Sequence, residues 1–226
     1  SSRTYQVLQP LYREWAVARP EISATILAAP GAIELHVSAR ASSPAVVDRA
    51  LDTAVQRVVS VIGADVYSTD GRTLEQVVGD LLAGKGLHIA AAESCTGGMI
   101  TSRLTDVPGS SRYVDQSVIT YSNGAKTELL GVPTDVLNAH GAVSEPVALA
   151  MADGIRVRAR ADIGVGVTGI AGPTGGTPDK PVGMVVVAVV TDRERGCRTF
   201  RFFGDREQVK FQASQSALDM VRRLLS

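Results

Sequence analysis

Apolar positions recur along this chain in two periods, and the alternation between them predicts its elements. Over residues 5–18, Tyr5, Leu8, Leu11, Tyr12 and Trp15 fall at helical intervals, with Pro10 inside the pattern arguing against a straight helix. Two short strands are predicted next, at residues 23–27 and 33–37, and Ala28-Ala29-Pro30-Gly31-Ala32 between them is a turn signal that makes a hairpin. Ser43-Pro44, a cap followed by the proline favoured at a first helical position, opens an amphipathic helix to about Ile62. Helix, strand, strand, helix is a small α+β unit, and Ser68-Thr69-Asp70-Gly71-Arg72 reads as the linker that ends it.

Thr73-x-x-Gln76 then makes a capping box for a helix to about Leu82. A short apolar strand is predicted at 87–92, a tight turn at Ser94, and a helix at 99–104. After a loop with Pro108-Gly109-Ser110-Ser111 come a strand at 114–121, a helix at 123–130, a short helix at 136–140 and a longer one from Ser144-Glu145-Pro146 to about Arg158. Residues 162–168 alternate Ile163, Val165 and Val167 with Gly164 and Gly166, whereas 182–190 is nearly all apolar, and a Gly- and Pro-rich loop at 169–181 joins them. A hairpin partner at 199–203 and a closing helix from the Asp205 cap to about Leu225 complete the chain. A continuously apolar strand is buried on both faces, so helices should cover both sides of its sheet. The expected architecture is therefore α/β: a three-layer αβα sandwich with a mixed sheet over residues 73–226, preceded by a small α+β domain over 1–72.

Composition removes several functions from consideration. The chain has 226 residues, 45% of them hydrophobic and 20% charged, which is a folded chain and not a disordered one. Lys plus Arg and Asp plus Glu both number 23, so no overall charge draws nucleic acid or anionic lipid. Residues 1–72 have the element order of a KH-type RNA-binding domain but no G-x-x-G loop and no basic run, and no nucleic-acid partner is expected. No apolar run reaches the roughly 18 residues of a membrane span, and no membrane association is expected. Two cysteines, Cys95 and Cys197, make no disulfide framework, and no cluster has metal-ligand spacing; a reducing, cytoplasmic setting without metal or cofactor is the expectation. The Ser-Ser start suggests a piece of something longer.

The stretch Glu93-Ser94-Cys95-Thr96-Gly97-Gly98 is the candidate for chemistry. Strand, turn and helix would put Ser94 at the mouth of the turn, where glycines let a ligand approach and a helix start offers unpaired N–H groups to an anion or a developing oxyanion. The alternative is a Ser/Thr helix cap with glycines serving the bend. Two glycine patterns imitate better-known motifs. Gly79-x-x-x-x-Gly84-Lys85 nearly matches a phosphate loop, but Gly86 replaces the metal-binding hydroxyl and the segment precedes a strand. Gly164-x-Gly166-x-x-Gly169 lies within a strand and leads to no helix, unlike a dinucleotide fingerprint. His36, His88 and His140 share no spacing, and Cys95 reads as a small packing residue.

The turn motif, with Tyr121-Ser122-Asn123, Lys126, Gly141 to Pro146, Gly169-Ile170-Ala171-Gly172-Pro173 and Gly175 to Gly183, resembles the CinA carboxy-terminal family, in order across residues 73–226. The resemblance implies nicotinamide mononucleotide (NMN) deamidase activity, the PncC reaction, which hydrolyses the carboxamide of NMN to nicotinic acid mononucleotide and ammonia. It implies Ser94 as nucleophile, Lys126 as general base and Tyr121 as a helper that relays a proton or holds the lysine. Residues 1–72 look like the KH-type middle domain of full-length CinA proteins, and family members commonly form homodimers or larger homo-oligomers. A serine hydroxyl needs a neighbour to take its proton, and a lysine serves if its pKa is lowered. The Thr96 and Gly97 amides are the expected oxyanion hole, with Gly98 beside them. Thr168, Gly169, Ala171, Gly172 and Lys180, on the long loop, are the remaining candidates to hold phosphate or ribose.

The chain departs from the family at Gly124, where Glu is usual, and at Gln116-Ser117, where Gly-Gly is common. The competing reading is a non-catalytic nucleotide-binding or oligomerisation module of a longer CinA protein.

Overall fold

The computed structural model describes residues 2–19, 21–29 and 31–226, without the side chains of residues 2–5 and 18. The chain forms two compact units, Ser1–Arg72 and Thr73–Ser226. In the first, helix α1 (Ser2–Ala18) runs unbroken through Pro10. Leu8, Leu11 and Trp15 bury its apolar stripe; the Tyr5 side chain lies outside the described residues. Strands β1 (Ile22–Ala29) and β2 (Ala32–Ala39) pair antiparallel from Ile22↔Ala39 to Ala29↔Ala32, longer at both ends than the hydrophobic alternation alone indicates. The period-2 pattern puts Ile22, Ala24 and Ile26 beside Leu35, Val37 and Ala39 on one face. That face packs with Ala54 and Val58 of helix α2 (Pro44–Ile62) and with the α1 stripe. Among the described residues nothing in this unit identifies a KH-type domain: its sheet there is two-stranded, and the sequence carries no G-x-x-G loop.

In the second unit, the capping box Thr73/Gln76 starts helix α3 (Leu74–Lys85). The remaining elements are β3 (Ile89–Glu93), α4 (Met99–Thr105), β4 (Val114–Ile119), α5 (Asn123–Leu130), α6 (Thr134–His140), α7 (Glu145–Ala159), β5 (Ile163–Gly169), β6 (Met184–Val190), β7 (Arg195–Arg201) and α8 (Arg206–Leu225). The strands form one five-stranded mixed sheet in the order β4-β3-β5-β6-β7. β4, β3 and β5 are parallel, and β6 and β7 return antiparallel. Every residue of β6 after Met184 is buried. Val186, Ala188 and Val190 meet Ala148 and Ala152 of α7, while the alternate residues turn to the face where α8 packs. This is the three-layer αβα arrangement.

β7 starts four residues earlier than its apolar pattern indicates. It is an edge strand whose exposed Arg195, Arg198 and Arg201 carry no hydrophobic signal, as edges that resist further pairing often do not.

The two imitated motifs have packing explanations. A β-carbon on Gly79 would strike the Tyr113 ring, and one on Gly164 or Gly166 would strike the carbonyls of Ala152 or Ala148. Bare backbone in β5 is what lets α7 lie directly on the sheet. Among the described residues no helix is long and apolar enough to cross a membrane.

Candidate active site

Because β3, β4 and β5 run parallel, their carboxyl ends share one edge, where ligands of open α/β sheets bind. Glu93 pairs with Val167 on one side and Ile119 on the other, and the next N–H, of Ser94, donates to the Val167 carbonyl at 3.0 Å. The chain then turns at once into α4 through Gly97 and Gly98, at φ 64° and 95°. Side chains disfavour that left-handed backbone, which explains the paired glycines.

Glu93 fastens this turn. Its side chain, 1% exposed, accepts hydrogen bonds from the N–H groups of Gly98 (2.9 Å), Ile100 (3.1 Å) and Thr101 (2.9 Å) and from the Thr101 hydroxyl (2.8 Å). The orphan amides at the start of α4 are thus taken by the protein's own carboxylate, not left for a ligand. The expected oxyanion donors narrow accordingly. Gly97 gives its N–H to the Ser94 carbonyl at 3.1 Å and Gly98 gives its to Glu93, so neither amide is open to substrate. Among the described residues the Thr96 N–H meets no acceptor.

Lys126 arrives from the other side. β4 ends at Ile119, two residues before the expected end, and the Thr120 N–H still donates to the Glu93 carbonyl at 2.8 Å. The Ser122 hydroxyl then caps α5 by accepting from the Ala125 N–H, and the first turn carries Lys126 inward until it is 1% exposed. Its Nζ lies 2.8 Å from the Thr120 carbonyl, 3.2 Å from the Ser94 hydroxyl and 3.4 Å from the Tyr121 carbonyl. Burial holds its pKa below the ordinary 10.5. Burial also pushes the Cys95 thiol up to about 12, which leaves it a protonated packing group.

Tyr121 stands differently from its expected role. Its side chain is exposed, and its hydroxyl accepts from Arg206 at 2.9 Å; the residue touches Lys126 through its main-chain carbonyl. Arg206, at the start of α8, also donates to the Gly172 carbonyl at 2.8 Å and so ties the long loop to Tyr121. Sequence reading missed Arg206, and it placed Glu93 in the candidate stretch without a role for its carboxylate. Only the Asp205 cap hinted that a helix start lay near, and no local pattern placed it at this edge.

The long loop serves two ends. Gly172 joins the site through Arg206, and Ala171 is buried beside it in sequence. The buried Thr168 hydroxyl donates to the Ala142 carbonyl at 2.8 Å, and Lys180 Nζ donates to the His140 carbonyl at 2.6 Å, the carboxyl end of α6. Gly169 pairs with Val185, where a β-carbon would overlap β6. These contacts anchor the loop. Two fully buried hydroxyls near the pair, Thr96 Oγ1 and Thr120 Oγ1, have no partner among the described residues. A buried hydroxyl without a bond costs about 1–3 kcal/mol, so this edge of the sheet carries two unsatisfied polar groups.

A family model described as "CinA C-terminal domain" matches residues 71–225. Among curated proteins, a CinA-like protein of Koribacter versatilis is 45% identical over 216 residues, 96% of this chain and 51% of that protein. A CinA-like protein of Chlorobium limicola is 49% identical over 191 residues, 82% of this chain and 44% of its own. The chain thus spans about half the length of such relatives. The crystal structure of the competence/damage inducible protein CihA from Agrobacterium tumefaciens is 40% identical with TM-score 0.67, covering 68% of this chain and 94% of that one. A CinA superfamily protein from Escherichia coli is 32% identical with TM-score 0.64, covering 72% and 98%.

Proposed function

This chain belongs to the CinA family through its carboxy-terminal domain, and from that premise we propose that residues 73–226 are an amidohydrolase converting NMN to nicotinic acid mononucleotide and ammonia. The observation that carries the reading is the buried Ser94–Lys126 pair. A neutral amine has two N–H donors and one lone pair. Once Lys126 has lost its proton, the carbonyls of Thr120 and Tyr121 take its two donors and the lone pair is left for the Ser94 hydroxyl.

In the proposed reaction Ser94 Oγ attacks the carboxamide carbon while its proton passes to Lys126 Nζ. The negative oxygen of the tetrahedral intermediate is met by the Thr96 N–H. As the C–N bond breaks, Lys126 returns the proton to the departing nitrogen, which leaves as ammonia. Water then attacks the Ser94 ester, giving its proton to the again neutral lysine. The ester bond breaks, Lys126 reprotonates Ser94, and the acid departs. Each step needs only a proton shuttled over one short distance, and Lys126 supplies it in both halves.

Ammonia release measured with NMN, nicotinamide riboside and nicotinamide tests this reading. Release from NMN in preference to the other amides supports it. NMN binding with no ammonia over long incubation would instead favour a non-catalytic nucleotide-binding module.

A further inference from the structure

Apart from the Thr96 N–H, three features among the described residues near the site offer positive charge or amide N–H groups to an anion, and the protein itself occupies two. The amides at the start of α4 are filled by Glu93. The ammonium of Lys180 is held on the carboxyl end of α6 through the His140 carbonyl. The third is α8, which presents Arg206 and, one turn later, Lys210. Residues four apart on a helix stand side by side, and like charges so placed repel.

We infer that Lys210, beside Arg206, is the residue that recognises the phosphate of a mononucleotide substrate, an inference that rests on the deamidase reading above. Lys210 Nζ lies 3.6 Å from where a β-carbon on Gly97 would stand, so its ammonium hangs over the turn that carries Ser94. The side chain is half-buried, yet among the described residues no carboxylate pairs with it. Arg206 is similarly bound to neutral oxygens only, the Tyr121 hydroxyl and the Gly172 carbonyl. Two neighbouring cations without a counter-ion at the rim of a site are relieved by a dianion, and a phosphate brings one.

The test compares NMN with nicotinamide riboside, which lacks the phosphate, in the wild type, Lys210→Met and Lys210→Gln. The ratio of kcat/KM for the two substrates should fall at least about tenfold in both variants, mainly through KM for NMN. An unchanged ratio in folded variants overturns the inference. Calorimetric binding of ribose 5-phosphate to the same proteins separates this inference from the reaction itself. Binding weakened at least about tenfold in the variants upholds the phosphate site even if the wild type releases no ammonia, a result that would sink only the deamidase reading. Equal binding overturns the inference whatever the turnover.

Discussion

Lys126 Nζ stands 3.2 Å from the Ser94 hydroxyl, with the lysine 1% exposed and the serine 8% exposed. A lysine this deep is held charged only at a cost, and the same burial that lowers its pKa makes it usable as a base.

Activity should therefore rise with pH and level off, with a midpoint below the ordinary 10.5 of lysine. The sign for stability follows. Between the lowered folded-state pKa and 10.5 the unfolded chain binds more protons than the native one, so native stability increases as pH rises through that window. Lys126→Arg cannot become neutral and should lose about 10²–10⁴-fold in kcat/KM. Lys126→Met should lose activity and also the pH-dependent stability gain, read from thermal unfolding at a series of pH values. Full activity in either variant removes the base assignment.

Glu93→Gln replaces an acceptor of charge-assisted hydrogen bonds by a group whose NH₂ faces other N–H donors. We expect a loss of about 2–3 kcal/mol in urea unfolding, together with a lower kcat, because the turn that aims Ser94 loosens with it. Unchanged stability would mean that the start of α4 holds without the carboxylate.

Tyr121→Phe should cost about tenfold or less in kcat/KM, since the phenol meets Arg206 and the lysine is held by the Tyr121 main chain. A loss of several hundredfold would restore the phenol to proton transfer.

Two glycine replacements should move stability in opposite directions. At Gly166 a β-carbon meets the carbonyl of Ala148, which the packed α7 cannot withdraw, so Gly166→Ala should destabilise by about 1–3 kcal/mol. At Gly124, on exposed α5, the nearest atom to a β-carbon is Ser122 Oγ at 3.9 Å, and Gly124→Ala should stabilise by about 0.5–1 kcal/mol. Denaturant midpoints of the two variants check both signs.

Much of this architecture can be read from periodicity. The unbroken apolar run of β6 requires cover on both faces, and the start of α2 follows from Ser43-Pro44. The turn at Ser94 is visible from its glycines. What periodicity cannot supply is which distant element arrives there. Lys126 looks like any surface lysine until α5 is seen to bury it, and only the family pattern singled it out beforehand. Arg206 and Lys210 sit on an amphipathic helix more than a hundred residues from Ser94, where basic residues ordinarily mean a solvated face. Glu93 is hidden for the opposite reason: a charge ending an apolar strand reads as the start of a loop, and only the returning amides of α4 reveal it as buried.

The most direct test is ammonia release from NMN by the wild type and by Ser94→Ala, side by side, with no metal added and circular dichroism confirming that both are folded. Ammonia from the wild type and a rate at least about 10³-fold lower from the variant is the predicted result. Equal rates from the two proteins would contradict it, because no hydroxyl at position 94 would then be forming the ester.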